Sequence, residues 1–181
     1  MEFRKQLWKL VVGLSCLLET ATVCASVPPM VERVAAEQGV PAQIFYAIVL
    51  AESRSPTQQG SKAWPWTINL QGHPHFFATR EEAYSFASTL VEQGTKNFDV
   101  GIAQVNWYWH GERFDYNLWS AFDPYTNLTA AAKHLREQYA RSECNTWELA
   151  VGCYHRPARR KSDRVIADAY AKRVFKIWFD L

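Results

Sequence analysis

The 181-residue sequence lacks an apolar run long enough to cross a membrane, and it has no large excess of either charge. A membrane-spanning helix needs about 20 apolar residues. The run from Leu10 to Leu18 is shorter than that and is interrupted by Gly13, Ser15 and Cys16. The net charge is +2 at pH 7, with 20 basic and 18 acidic residues. Such a balance gives no indication of a nucleic-acid partner.

The sequence also lacks the ligand spacing of a metal site, an internal repeat and a low-complexity linker. His73 and His75 lie in a predicted hairpin, away from any cluster of cysteines or carboxylates. We therefore expect no metal and no other cofactor. Because no shift in composition divides the chain, we expect one domain with one hydrophobic core.

The N-terminus has the pattern of a secretory signal. A positively charged start with Arg4, Lys5 and Lys9 precedes the apolar run, and Val23-Cys24-Ala25 provides the small-x-small pattern of a cleavage site. We expect residues 1–25 to be a signal peptide and residues 26–181 to be an exported domain in the periplasm. An uncleaved membrane anchor is the alternative.

Two cysteines, Cys144 and Cys153, follow the expected cleavage site. An even number of cysteines in an exported chain favours a disulfide. In a continuous helix these two residues would be about 13 Å apart, whereas a disulfide needs Cα atoms within about 7 Å. The bridge is therefore a hypothesis that requires Cys144 to lie in a loop folded back along the next helix.

The spacing of apolar residues predicts a mainly α-helical domain. Ile44, Phe45, Ile48 and Val49 show the pattern most clearly, in a helix opened by Pro41. The other predicted helices are Val31–Gln38, Arg80–Gln93, Pro124 to about Ser142, Thr146–Tyr154, and a last one with Ser162 as its N-cap that ends near Trp178.

One β-hairpin is predicted between the second and third helices. Its strands are Trp66–Leu70 and His75–Thr79, joined around Gln71-Gly72. The remaining segments are predicted to be irregular: loops at Gln58–Lys62 and Asn97–Asn106, and an aromatic-rich stretch from Trp107 to Trp119.

Glu52 is an unusual residue on the apolar face of the second helix, four positions after Ile48 and close to the helix end. Desolvation and the negative end of the helix dipole both favour the protonated carboxyl. A protonated carboxyl is suited to donate its proton to the oxygen of a glycosidic bond. The alternative is a glutamate at the rim that merely ends the helix.

Two further segments carry polar groups among apolar residues. In Asp99–Asn106, Gly101 allows close approach of the backbone, and the amides of Gln104 and Asn106 need hydrogen-bond partners. Sugar hydroxyl and acetamido groups would satisfy them, as would backbone groups of the protein itself. In the second segment, Ala150–His155, a tyrosine hydroxyl and an imidazole follow an apolar run.

Three segments together resemble the ordered motifs of the soluble lytic transglycosylase domain, a family similar in fold to goose-type lysozyme. They are Ala51-Glu52-Ser53, Gly101–Asn106 and Ala150–His155, and the resemblance extends from about Val31 to Ala171. It implies a lysozyme-like helical domain that cleaves peptidoglycan without adding water and forms a 1,6-anhydro sugar. A true lysozyme that adds water, and a non-catalytic wall-binding subunit, are the alternatives.

The resemblance also implies roles for individual residues. Glu52 corresponds to the catalytic acid, and the mechanism would use one carboxylate, with Asp99 the nearest candidate for a second. The substrate-binding candidates are Ser53, Gly101, Gln104, Asn106, Tyr154 and His155. Where the family often has Leu-Met this chain has Ile102-Ala103, and where it often has Asn this chain has His155.

A looser resemblance concerns the partners of the protein. The segment Trp64–Asn69 resembles the branch of the family found with conjugation, type IV pilus and secretion machines, so components of such a machine are expected partners beside the glycan strands.

Two other features suit a wall polymer. Sugar faces stack on aromatic rings, so we consider Trp64, Trp66, Trp107 and Trp109 candidate contacts, whereas Trp147 and Trp178 are assigned to the core. The basic stretch from Arg156 to Arg164 is either a solvated helix start or an attraction to an anionic polymer.

Overall fold

A computed structural model describes residues 26–57, 60–157 and 160–181. The expected signal peptide, residues 1–25, lies outside these residues. The predicted mainly α-helical fold is confirmed. The helices are α1 (Pro29–Gln38), α2 (Ala42–Ser53), α3 (Arg80–Glu92), α4 (Trp107–His110), α5 (Leu118–Ala121), α6 (Pro124–Tyr139), α7 (Trp147–His155) and α8 (Lys161–Phe179). Short 3₁₀ turns occupy Gly111–Phe114 and Ser142–Cys144.

Local sequence signals account for most helix starts. Thr79, Asp123 and Thr146 cap α3, α6 and α7, and each accepts a hydrogen bond from a backbone N–H of the first turn. The N-cap predicted for α8, Ser162, is two positions too late. This helix begins at Lys161 after an extended Arg160 that provides no side-chain cap, and Ser162 already lies inside the helix.

The β structure is larger than predicted. The expected hairpin is present as β3 (Thr67–Leu70) and β4 (His73–Phe76), but its second strand was predicted too late in the chain, at His75–Thr79. Strands β5 (Asp99–Val100) and β6 (Val105–Asn106) extend the hairpin to an antiparallel sheet of order β4-β3-β5-β6. The prediction of a loop at Asn97–Asn106 is therefore wrong at these two strands. Two-residue strands are too short to show alternation, so no pattern in the sequence indicates them.

A second hairpin replaces most of the loop predicted at Gln58–Lys62. Strands β1 (Arg54–Thr57) and β2 (Gly60–Ala63) pair antiparallel, with Arg54 opposite Ala63. This hairpin follows α2 directly, so it adjoins the end of the helix that carries Glu52.

The aromatic-rich stretch Trp107–Trp119 is also more regular than predicted. It contains α4, a 3₁₀ turn and the start of α5. The side chains of Asn106 and Asn117 cap the two short helices. Four-residue helices carry too few residues to show an apolar period, so the capping asparagines were the available signal.

The core is built around α2, whose Phe45, Ile48 and Val49 are fully buried. Helix α8 packs on α2 and α7, and α6 packs on α1 and α7. No single helix among the described residues is long and apolar enough to cross a membrane; α1 and α2 reach that threshold only as a pair bent by 119°.

Cys144 and Cys153 are disulfide-bonded, with Cα atoms 6.5 Å apart. Cys144 lies in the 3₁₀ turn that precedes α7, so the chain folds back along this helix. That is the geometry which the spacing of the two cysteines requires.

Candidate functional site

Glu52 lies in the last turn of α2, and its carboxyl is held by a residue from the other end of the chain. The hydroxyl of Tyr170, on α8, donates a short hydrogen bond to Glu52 Oε1. The pKa of Glu52 is raised from 4.5 to about 7. Burial is the largest cause and the Asp99 carboxylate acts in the same direction, whereas the Tyr170 hydrogen bond and Arg173 oppose the rise. Near neutral pH this group therefore exists in both protonation states.

Tyr170 was not predicted from the sequence. It is 4% exposed and lies on the buried stripe of α8 with Ala167, Ala171 and Val174. A phenol on an otherwise small and apolar stripe needs a hydrogen-bond partner, and that was the available signal. Because Tyr170 occupies Glu52 Oε1 as a donor, the acid proton is left to Oε2.

The loop between β5 and β6 is held by a buried asparagine that sequence analysis missed. Asn127, on α6, accepts a hydrogen bond from Ala103 N (2.9 Å) and donates to the carbonyls of Val100 (3.0 Å) and Ala121 (2.9 Å). Gly101 has a φ of 78°, and a Cβ at this position would lie 2.4 Å from Asn127 Nδ2. The predicted close approach at this glycine is thus toward the protein's own Asn127.

Gln104 closes the same loop. Its Nε2 donates to the carbonyls of Gly101 (2.8 Å) and Thr67 (3.2 Å), and its backbone has a φ of 47°. These bonds fix the amide and leave its oxygen without a hydrogen bond from the described residues. A fixed amide oxygen can accept a hydrogen bond from an N–H or O–H of a ligand.

Tyr154, on α7, joins the loop to the region of Glu52. Its hydroxyl donates to the carbonyl of Ala103 at 3.0 Å. Burial raises the pKa of Tyr154 well above 10, and the charges of Glu52 and Asp99 add to this rise. The phenol is therefore neutral. Because Glu52 interacts electrostatically with Asp99, Tyr154 and Tyr170, these four residues belong to one site.

Asp99 and Asn106 are directly opposite each other on β5 and β6. Asn106 Nδ2 donates to Asp99 Oδ1 (2.8 Å) and to Asn97 Oδ1 (3.0 Å), while Asn106 Oδ1 caps α4 by accepting from Trp109 N. Burial raises the pKa of Asp99, and the bond from Asn106 opposes that rise. Both ends of the Asn106 amide are committed, so its predicted contact with substrate would need the structure to change.

Two other candidates differ in their accessibility. The Ser53 side chain is buried, and its hydroxyl donates to Val49 O at 3.1 Å within the same helix. His155 is exposed, and its ring lies flat on Tyr170 with centroids 4.4 Å apart. Partial burial lowers the pKa of His155, and Arg173 and Arg156 lower it further. Substrate binding by either residue stays a prediction.

The four candidate tryptophans do not form one surface. Trp109 is 67% exposed, Trp107 is buried, and Trp64 and Trp66 are half-buried against each other at 5.7 Å. Trp107 lines an open cavity of about 370 Å³ between α3 and α5. A second cavity, of about 230 Å³, lies between α6 and Arg113 of the 3₁₀ turn Gly111–Phe114. Neither of these cavities is lined by Glu52.

Metal ligands do not gather in the part of the chain that the structure describes: no three His, Cys, Asp or Glu side chains there form a group that could hold an ion. The side chains described at the site offer carboxyl, phenol and amide groups, and one carboxyl has a pKa of about 7.

The fold and the site together define a class of protein: a helical, lysozyme-like domain with one partly protonated glutamic acid beside two neutral tyrosines. A family model described as the transglycosylase SLT domain matches residues 29–174, and the chain belongs to this family. The family indicates lytic transglycosylase activity with peptidoglycan as substrate. Comparisons with curated proteins and with solved structures gave no match.

Proposed function

We propose that this protein cleaves the β-1,4 bond between MurNAc and GlcNAc in peptidoglycan, with Glu52 as its catalytic acid and base. The observation that carries this proposal is the buried Glu52 carboxyl, with a pKa of about 7 and a hydrogen bond from Tyr170. A general acid is most effective when its pKa lies near the working pH.

The first step uses the proton on Glu52. Oε1 accepts the hydrogen bond from Tyr170, so Oε2 carries the proton and donates it to the bridging oxygen as the C1–O bond breaks. The 2-acetamido oxygen of MurNAc stabilises the positive charge that develops at C1. The acetamido group and the glycan backbone can be bound by the fixed amide of Gln104 and by the part of the β5–β6 loop that contacts Tyr154.

The second step returns the proton. Glu52, now a carboxylate, removes the proton from the C6 hydroxyl of MurNAc while O6 attacks C1. The new C1–O6 bond gives a 1,6-anhydro sugar, the leaving GlcNAc keeps the first proton as its 4-hydroxyl hydrogen, and Glu52 is protonated again. No water enters the reaction. Glu52 can act first as an acid and then as a base because its pKa of about 7 lies near the working pH.

A hydrolytic reaction is the second candidate, and the position of Asp99 favours it. This carboxylate interacts with Glu52 and Tyr154, and glycosidases that add water use two carboxylates. Mass spectrometry of muropeptides released from purified peptidoglycan separates the two reactions. We expect products lighter by one water than hydrolysis products; products at the hydrolytic mass would establish a lysozyme instead, and no release would contradict both.

The cellular setting belongs to the same proposal. The segment Trp64–Asn69 supports a role in opening the wall for a conjugation, type IV pilus or secretion machine, and the disulfide Cys144–Cys153 is typical of an oxidising compartment such as the periplasm. Osmotic-shock fractionation checks the location: we expect the mature protein in the periplasmic fraction, and recovery in the cytosol would contradict it.

Removing the Tyr170 hydroxyl tests how the acid is tuned. Hydrogen bonds to a charged group lower its pKa when it is a carboxylate, so Tyr170→Phe is expected to raise the pKa of Glu52. Activity requires the protonated acid, so the alkaline limb of the kcat/KM profile should move to higher pH by about one unit.

A matched control is available in Tyr125. Its hydroxyl donates to the exposed Glu37 at 2.6 Å, away from the site. Tyr125→Phe should leave the pH profile unchanged. If Tyr170→Phe moved the alkaline limb to lower pH, or left it in place, the hydrogen bond to Glu52 would not be setting the pKa of the acid.

A further inference from the structure

Positive charge is gathered beside the phenol that holds the catalytic acid. Arg173 follows Tyr170 by one helical turn on α8, and its guanidinium carbon lies 5.1 Å from the centre of the Tyr170 ring. The His155 ring lies flat on the same phenol. Because Tyr170 donates to Glu52, Arg173 and His155 are each one side chain away from the acid.

Only part of this charge is paired with a carboxylate of the described residues. Among the described residues, no carboxylate comes within ion-pair distance of Arg173, which is exposed to solvent. Arg156, directly after His155, contacts Asp163 at 3.4 Å with half of its side chain exposed. Both arginines lower the pKa of His155, so both charges lie near the His155 ring. An exposed guanidinium without a partner is a binding site for a carboxylate.

The proposed substrate supplies carboxylates at this place. In peptidoglycan the lactyl group of MurNAc carries a short peptide stem with free carboxylates, whereas the sugars themselves are uncharged. MurNAc is also the sugar whose C1–O bond Glu52 would break. A stem attached to that sugar therefore starts within a few bonds of the catalytic acid and extends over the adjoining surface.

We propose that Arg173, with Arg156 beside it, binds a carboxylate of the peptide stem and makes this protein selective for stem-bearing glycan. This inference rests on the proposed function, since it concerns the same site and substrate. The proposal assigns a function to Arg156, the first residue of the basic stretch. It also gives α8 a role in substrate recognition beside the role of its Tyr170 in holding Glu52.

The bound stem would also act on the acid. The charged and titratable groups that act on Glu52 are Asp99 from β5, Tyr154 from α7, and Tyr170 and Arg173 from α8. His155, from α7, stacks on the Tyr170 ring. Arg173 lowers the pKa of Glu52. A carboxylate bound to Arg173 offsets this effect and keeps Glu52 protonated to higher pH while the substrate is in place.

The test compares two substrates and three forms of the protein. The substrates are purified peptidoglycan with intact stems and the same material after an amidase has removed the stems. Amidase leaves one lactyl carboxylate on each MurNAc, so a preference for the first substrate reports the stem itself. The proteins are the wild type, Arg173→Gln and Lys172→Gln. Lys172 is the adjacent, exposed residue of α8, so its substitution removes the same charge without touching Tyr170.

We expect wild type and Lys172→Gln to show kcat/KM about fivefold higher for stem-bearing glycan, the size of an exposed ion pair. Arg173→Gln should lose this preference, whatever its absolute rate on either substrate. The alkaline limb should lie at higher pH on intact stems for the wild type and at the same pH on both substrates for Arg173→Gln.

Three results would overturn the inference. Equal kcat/KM of the wild type on both substrates would exclude stem recognition, and a retained preference in Arg173→Gln would exclude the arginine. A loss of preference in Lys172→Gln as large as in Arg173→Gln would show a non-specific charge effect. Inactivity of the wild type on both substrates would instead overturn the proposed function, and this inference with it.

Discussion

Glu52→Gln is expected to lower kcat on purified peptidoglycan by about a thousandfold, the scale of an essential general acid. The substitution keeps the size of the side chain and an oxygen that can accept from Tyr170, but it removes the proton donor and the base. Release of soluble muropeptides over time, measured by chromatography, gives the rate. A variant that kept more than a tenth of the activity would show that another group supplies the proton.

Asp99→Asn is the matched control for this experiment. Asp99 is the second carboxyl of the site, and an asparagine can still pair with Asn106 across the strands. If one carboxyl carries the reaction, Asp99→Asn should lose less than about tenfold in kcat, far less than an essential acid–base group. A loss equal to that of Glu52→Gln would indicate a mechanism with two carboxylates, and the product mass should then be that of hydrolysis.

The same Glu52→Gln substitution should stabilise the protein at high pH. The pKa of about 7 in the folded protein lies above the ordinary 4.5, so the native state binds a proton more tightly than the unfolded chain between these values. The free energy of unfolding therefore falls as the pH rises through this window. Well above pH 7 the substitution should raise it by about 3 kcal/mol, and near pH 4 it should have little effect. Denaturant unfolding at pH 4 and pH 8 measures the difference, and equal effects at both would contradict the raised pKa.

Gly101→Ala is expected to destabilise the fold by about 3–4 kcal/mol and to abolish activity. The added Cβ would lie 2.4 Å from Asn127 Nδ2 and 3.0 Å from the carbonyl of Ala121. Asn127 is fully buried and bonds both sides of the loop that positions Ala103 and Gln104. It cannot move without leaving buried polar groups unpaired, which is costly.

Gly94→Ala separates the clash from the backbone strain. Gly94 has a φ of 79°, almost the same as Gly101, but a Cβ there would have no atom within 4 Å. It should cost about 1 kcal/mol, the strain of a left-handed alanine alone. Denaturant unfolding of the two variants compares them directly. Equal losses would mean that Asn127 yields easily and does not fix the loop.

Much of the fold follows from local sequence. Apolar spacing, with Pro41, Pro124 and Thr146 at helix starts, predicted the longer helices within a few residues, because these signals act over one or two turns. The short elements were missed for the same reason. Strands β5 and β6 and helices α4 and α5 have four residues or fewer, so they exist only because longer elements around them are already in place.

The candidate site divides in a similar way. Glu52 could be predicted because it follows an apolar stripe at a helix end, which disfavours its charge. Gly101 could be predicted as a close approach, but its neighbour could not, since Asn127 follows 26 positions later. Ser53 was a substrate-binding candidate from the family resemblance, and Asn106 from its amide within an apolar run. In the structure Ser53 bonds the backbone of its own helix, and Asn106 bonds Asp99, Asn97 and the start of α4. Substrate binding by either residue stays a prediction.

The sequence by itself determined that a helical domain would bury a carboxyl at the end of its second helix. Only the tertiary structure decided what that carboxyl meets: the hydroxyl of Tyr170 from a helix 118 positions away, the charge of Arg173, and the carboxylate of Asp99. Propensity and capping depend on neighbours within a few residues, whereas the pKa of a buried acid depends on every charge and hydrogen bond that folding brings near it.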